Sequence, residues 1–333
     1  MVTPDILRRL LCDLGSHVRT QVLAARTSSN SEALSAIAGV CTSDTIYAID
    51  RVSEDSIAQW FEKFWPQDEP VQIVMEGIED DAPLCFPTGF SPAQTKWKCL
   101  LDPIDGTRCI MHDKRSAWML AGIAPQRGDA TCLSDIVAAA MTELPITKQW
   151  RSDQFSATRG GGVTAIATNV LDGSTHPLAP SPSQARDFQH GFAWVAKYFP
   201  EGRTLTSQIE ELLWERVCEQ KADESLAIFD DQYLSTGGAF YELLAGHDRM
   251  GADLRPLVFA RLGLDSPMVC HPYDVSAALI LEEAGLIYEH PLGGFPDAPL
   301  DTTTPIAWVT WANPVLADQA RPVLRDVLHQ ILG

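Results

Sequence analysis

Leu100-Leu101-Asp102-Pro103-Ile104-Asp105-Gly106-Thr107 is the stretch around which the chain is organised. Two apolar residues that read as the end of a buried strand lead into two carboxylates three residues apart, followed at once by a glycine and a hydroxyl. Pro103 fixes its own φ and lacks an N–H, so the spacing predicts a rigid turn in which Asp102 and Asp105 point into one space. Mg²⁺ prefers hard oxygen ligands, and two such ions about 3.5–4 Å apart need carboxylates that bridge or flank them. Asp102 and Asp105 suit that task. The N–H groups of Gly106 and Thr107 follow as donors at the mouth of a helix or turn, a cradle for a phosphoryl group. Taken alone, Asp-Pro followed by Asp-Gly is ordinary turn chemistry in which the carboxylates cap the backbone.

Composition bounds the partners. With 333 residues and 45% apolar content, the chain builds a full core as one large domain or as two sharing an interface. A formal charge of −19 without any basic block argues against a nucleic-acid polymer, whose binding rests on clustered Lys and Arg. A phosphate ester stays compatible, because a bound cation reverses the sign of an acidic site. The eight cysteines are scattered with no C-x-x-C pair, which argues against a zinc knuckle or thioredoxin motif and fits a reducing cytoplasm. The N-terminal segment carries Asp5, Arg8, Arg9 and Asp13 among its leucines, so it reads as neither a secretory segment nor a membrane span. A cytoplasmic protein without a membrane partner is the expectation.

Periodicity supplies the frame. Thr3-Pro4 starts a long amphipathic helix through Ala25, and Asn313-Pro314 caps a terminal one. Between them, short apolar runs such as Val71 to Met75, Ala117 to Ala124 and the run ending at Glu143 read as strands. Arg159-Gly160-Gly161-Gly162 reads as a tight strand turn, Ser174 to Ser183 as a polar linker, and Ser207 to Glu219 as a helix. Alternating helices and strands with carboxylates at strand ends imply a layered α/β architecture.

With the complete D-P-I-D-G-T string quoted above, the chain resembles the inositol monophosphatase family, as a divergent member. That family belongs to the Mg²⁺-dependent, lithium-sensitive phosphatases, which include the fructose-1,6-bisphosphatases and 3′-phosphonucleotide phosphatases. The resemblance runs in order from Asp44 to the C-terminus. Asp44 to Asp50 is similar to the family's D-x-x-T-x-x-D, with Tyr47 in place of Thr; alone, Asp50 is an acid favoured at a helix N-terminus. Glu76 closes a strand where the family shows G-E-E, but Gly77 follows it and the next acid is Glu79, a competitor for the same role. Leu234 to Tyr241 resembles S-x-G-S/A-x-A, a strand-to-helix turn whose backbone faces substrate at Gly237. His271 to Ala278 resembles W-D-x-A-A-G with Tyr273 in place of Trp, which would put Asp274 in the first turn of a helix. Alone, Asp274 reads as an N-cap before an Ala-rich helix.

The resemblance implies an α-β-α-β-α sandwich. An N-terminal α+β subdomain, 1–160, would carry most metal ligands, and a C-terminal α/β subdomain, 161–333, the last ligand and the substrate-side loops. It also implies a homodimer and two or three Mg²⁺ ions per site. Glu76, Asp102, the Ile104 carbonyl, Asp105 and Asp274 would hold the metal, with Asp102 bridging. Thr107, with Asp50 or Glu76 as proton acceptor, would orient the attacking water, while the Gly106 and Thr107 amides bind phosphoryl oxygens. The implied activity is hydrolysis of a small phosphate monoester, an inositol or sugar phosphate. Arg108 and the pair Lys114-Arg115 depart from the family; they would bind a second anionic group or serve as surface charge and ion pairs with Asp113. Arg249 and Arg255 are substrate-side candidates on the same terms. A nucleotide or sugar bisphosphate is the alternative substrate, and a non-catalytic metal- or phosphate-binding regulator, suggested by the broken G-E-E, is the alternative of another class.

Overall fold

The computed structural model describes residues 2–28, 37–40, 45–76, 83–219, 227–265 and 268–333, with the backbone alone for 27–28, 37–40 and 45–52. In chain order the first elements are helix α1 (Pro4–Ser28), strands β1 (Ile37–Val40) and β2 (Thr45–Tyr47), α2 (Ala48–Phe64), β3 (Val71–Met75), β4 (Leu84–Phe86), β5 (Trp97–Asp105) and α3 (Thr107–Met111). Then come β6 (Ala117–Pro125), β7 (Ala138–Leu144), β8 (Arg151–Thr158), β9 (Gly162–Asn169), β10 (Thr175–Leu178), β11 (Gly191–Val195), α4 (Arg203–Val217), β12 (Ile228–Phe229), α5 (Thr236–Leu244) and β13 (Asp248–Asp253). The chain closes with α6 (Arg255–Leu262), a 3₁₀ turn (Pro272–Val275), α7 (Leu279–Glu283), β14 (Ile287–Glu289), β15 (Trp308–Trp311) and α8 (Pro314–Leu332).

Two large sheets organise these elements. The first has eight strands in the order β10-β9-β8-β7-β6-β5-β3-β4, antiparallel except where β3 runs parallel to β5. The second has five, β12-β11-β13-β15-β14, with β11 parallel to β12 and β13. The first sheet runs on to Leu178, beyond the expected division at 160, and the stretch read as a linker contains its edge strand β10. Gly160 and Gly162 take positive φ in the β8–β9 hairpin, the tight turn that the glycine triplet predicts.

Strand alternation then builds layers. On one face of the eight-stranded sheet, Leu101, Met119 and Ala121 pack against Leu11, Leu14 and Val18 of α1 and Phe61 of α2. On the other face, Leu100, Trp118 and Leu120 meet Phe240 and Leu243 of α5, Val275 of the 3₁₀ turn, Leu279 of α7, and Trp194 and Trp308 of the second sheet. The far face of that sheet, with Val195, Met250 and Trp311, is covered by Leu213 of α4, Val258 of α6 and Leu324 of α8. The result is the α-β-α-β-α sandwich. Truncating a fully buried leucine such as Leu101 to alanine in such a core costs about 2–5 kcal/mol.

Candidate metal and phosphate site

The sequence predicts a turn at Asp102 to Asp105, and the structure differs: β5 continues through both residues. In a regular strand, residues three apart face opposite sides of the sheet. The pairing shows why these two do not. Asp102 lies opposite Leu120 and Asp105 opposite Trp118, so β5 carries one residue more than β6 across that interval, a β-bulge at Pro103-Ile104. Pro103, which has no N–H for the ladder, is accommodated there. Beyond the bulge the alternation is reset: Ile104 packs with Leu101 on the α1 side. Asp102 and Asp105 both face the middle layer, as do their partners Leu120 and Trp118.

Neutral donors fix the two carboxylates. The Ile104 N–H donates to Asp102 Oδ1 at 3.1 Å. Asp105 Oδ2 accepts from Ser235 Oγ at 2.9 Å and from the Gly237 N–H, both at the start of α5. Asp274 arrives from the 3₁₀ turn, not from an α-helix as expected, and its Oδ2 accepts from the His271 N–H at 2.6 Å. One carboxylate oxygen from each of Asp102, Asp105 and Asp274 lies within 4.8 Å of the others.

Burial raises the pKa of Asp102 well above the usual carboxylate value, and the neighbouring charges of Glu76, Asp105 and Asp274 push it further. Asp105 is pushed up to about 6 by burial, against the donors from Gly237, Ser235 and Thr236. Asp274 is raised well above its ordinary value, by burial and then by Asp105. Three hard-oxygen donors that repel one another in a partly water-free space fit a divalent cation such as Mg²⁺, which would replace the repulsion with attraction.

These acids floor a cavity of about 130 Å³. Glu76, Ile104, Gly106, Thr107 and Arg108 also line it. The Ile104 carbonyl accepts the Thr107 hydroxyl at 2.8 Å, which orients both groups. Gly106 sits at φ 95°, and a Cβ there would come within 3.0 Å of Ser235, so only glycine fits this turn without strain. The side chain of Asp50, in the first turn of α2, and the whole of Glu79 lie outside the described residues.

Two expected substrate-side groups lie elsewhere. Arg249 is not in the cavity lining; its Nη1 donates to the carbonyls of Asp187 at 3.0 Å and Gln189 at 2.6 Å. It stands near the start of β13, whereas the parallel strands β11 and β13 point their C-terminal ends at the site. Gly237 is buried, its amide engaged by Asp105, and a Cβ there would meet Trp118 at 2.6 Å. Its role in the geometry is to hold a carboxylate. Asp113 is bound by Arg26 of α1, while Arg115 pairs with Asp231 at 2.5 Å.

The sequence pattern did not single out Tyr198, Phe199, Met268 and Val269, which line the cavity from the loops after β11 and α6. They carry no periodicity. Position just beyond the C-terminal end of a parallel strand was the available signal for Tyr198 and Phe199.

Fold and acidic cluster together define a layered α/β protein with a carboxylate-floored cavity. Compared by sequence, the chain matches no protein-family model and no curated protein. Compared by structure, it is similar to the Leishmania major fructose-1,6-bisphosphatase in holo form, at TM-score 0.65 and 14% identity over 96% of this chain and 93% of that one. It is also similar to the extragenic suppressor protein SuhB from Bartonella henselae, at TM-score 0.63 and 16% identity over 97% and 98% of the two chains. A third is the staphylococcal IMPase-II with inositol monophosphate bound, at TM-score 0.58 and 16% identity over 97% and 96%. At such identities the likeness is one of fold, and the fold is that of the inositol monophosphatase and fructose-1,6-bisphosphatase group.

Proposed function

We propose that the protein is a metal-dependent phosphatase that hydrolyses a small phosphate monoester. The observation that carries this is the convergence of Asp102, Asp105 and Asp274 within 4.8 Å at the floor of a cavity also lined by Gly106 and Thr107. Shared fold with a fructose-1,6-bisphosphatase and with an IMPase-II that binds inositol monophosphate supports the same reading. In it, Asp102, Asp105, Asp274, Glu76 and the Ile104 carbonyl would hold Mg²⁺, Glu76 and Ile104 lining the same cavity as the three aspartates. Bound there, the ion supplies Lewis acidity and a water of lowered pKa.

The chain's own groups do the rest. Thr107 directs its hydroxyl proton to Ile104 O, so its oxygen presents lone pairs that accept from the attacking water. Glu76, or Asp50 from α2, takes the proton, a contribution worth about 10²–10⁴ in rate. The amides of Gly106 and Thr107 bind the phosphoryl oxygens as charge develops. Residues 1–160 would supply most ligands and 161–333 the last one and the alcohol side, in a homodimeric cytoplasmic enzyme.

The test is phosphate release from inositol 1-phosphate, sugar phosphates and sugar bisphosphates with Mg²⁺ or EDTA. Release that needs Mg²⁺ and disappears in Asp102→Asn supports the proposal. Release that survives EDTA and that substitution contradicts it.

A further inference from the structure

We infer that the alcohol released at this site presents a flat apolar face and carries no second phosphate, an inference that rests on the phosphatase reading of the same cavity. Away from the carboxylates, the cavity is walled by Tyr198, Phe199, Leu234, Met268 and Val269, five apolar or aromatic residues. Ser235, Thr236, Arg255 and Tyr273 stand beside them, and the hydroxyls of Tyr198, Ser235 and Tyr273 have partners within the protein. Tyr198 Oη donates to the Tyr233 carbonyl at 2.9 Å. Ser235 Oγ donates to Asp105 and accepts from the Gly238 N–H at 2.9 Å.

Arg255 is the cation on this wall, and it is neutralised in place. Its Nε donates to both oxygens of Asp253, at 2.9 and 3.0 Å, its Nη2 donates to the same carboxylate, and its Nη1 donates to the Met268 carbonyl at 2.9 Å. The guanidinium also lies over the rings of Tyr198 and Phe199, 5.0 and 5.5 Å from their centroids. A second phosphate on this side of the cavity would have to break this pair or meet an apolar wall. Among the described residues of this side, a polyol would bury hydroxyls against rings and thioether with few acceptors or donors beyond Thr236 and Tyr273 to receive them. Arg108, the other cation in the described lining, follows Thr107 on α3 and so belongs to a different element from the ring-bearing wall.

The experiment compares kcat/KM, with Mg²⁺ and with EDTA, for cyclohexyl phosphate, benzyl phosphate, myo-inositol 1-phosphate and fructose 1,6-bisphosphate. Cyclohexyl and inositol phosphates share a six-membered secondary alcohol and differ in hydroxyls, so their ratio reads the wall and not the reacting group. The expected result is a preference of about tenfold or more for the cyclohexyl and benzyl esters, the scale on which an apolar pocket discriminates a methylene. Phe199→Ala should reduce that ratio severalfold through KM, and Phe199→Leu should keep most of it, which separates lost contact from lost fold. Preference for the inositol ester or the bisphosphate, or a ratio that Phe199→Ala leaves unmoved, overturns this inference while the phosphatase reading stands. Absence of Mg²⁺-dependent release from all four esters overturns both.

Discussion

Asp105 and Asp253 each end a strand, on β5 and β13 respectively, and each is buried beside the same cavity wall, yet their surroundings differ in kind. Asp105 is held by a hydroxyl and backbone amides, with two further acids within 4.8 Å. Asp253 is gripped by the Arg255 guanidinium. Neutral donors orient a carboxylate without cancelling its charge, whereas a guanidinium does both. The first arrangement leaves charge available to a cation from solution and destabilises the metal-free protein; the second stabilises the fold and closes that carboxylate to metal.

Substitutions at the two aspartate sites should therefore separate activity from stability. Asp105→Asn is expected to abolish phosphate release, because it removes a carboxylate ligand from the metal site. The same substitution should leave the metal-free melting temperature at pH 8 unchanged or higher, because it removes a repelling charge. Arg255→Met should do the reverse to stability. It leaves Asp253 buried without its partner, at a cost of about 3–5 kcal/mol in denaturant unfolding, and the double variant with Asp253→Asn should recover most of it. If Arg255→Met proves neutral and Asp105→Asn strongly destabilising, the contrast fails.

Ser235→Ala sharpens the comparison on a smaller scale. Removing the hydroxyl that orients Asp105 should weaken Mg²⁺ affinity by about 10–100-fold, read by calorimetry, with little change in the fold. A pH-dependent effect concerns a buried acid with neither a guanidinium nor a place in the cluster. Asp248, which accepts from Trp194 Nε1 at 2.8 Å, has its pKa pushed up to about 7 by burial. For an acid with a raised folded pKa, the folded state binds the extra proton, so stability is highest in acid and falls as pH rises from the unfolded value toward 7. Asp248→Asn should flatten that decline between pH 4 and 7, by a difference on the order of a few kcal/mol in urea unfolding. Parallel curves for wild type and variant would show that Asp248 is not the titrating group.

How much of this was readable from the sequence follows the same divide. Asp102, Asp105, Gly106 and Asp274 were legible because they stand in short local strings beside apolar runs, and the layered α/β fold because its helical and strand periods are plain. The bulge was not. Local chemistry of Asp-Pro reads as a turn, and only pairing with β6 shows the strand continuing with one extra residue. Arg249 and Arg255 looked alike in sequence, six residues apart, but they fall at opposite ends of β13, one beside Gln189 and the other beside the cavity. Tyr198, Phe199 and Met268 were silent because a wall assembled from loops leaves no spacing to read.

The most direct measurement is Mg²⁺ titration by calorimetry on the wild-type protein and on Asp102→Asn, with thermal unfolding followed at each concentration. The account predicts saturable binding to the wild type and a rise in melting temperature corresponding to about 2.7 kcal/mol at a hundredfold excess over the dissociation constant. It predicts that both signals are largely lost in Asp102→Asn. Equal binding and equal stabilisation in the two proteins would contradict it and place the cation away from the strand that carries Asp102 and Asp105.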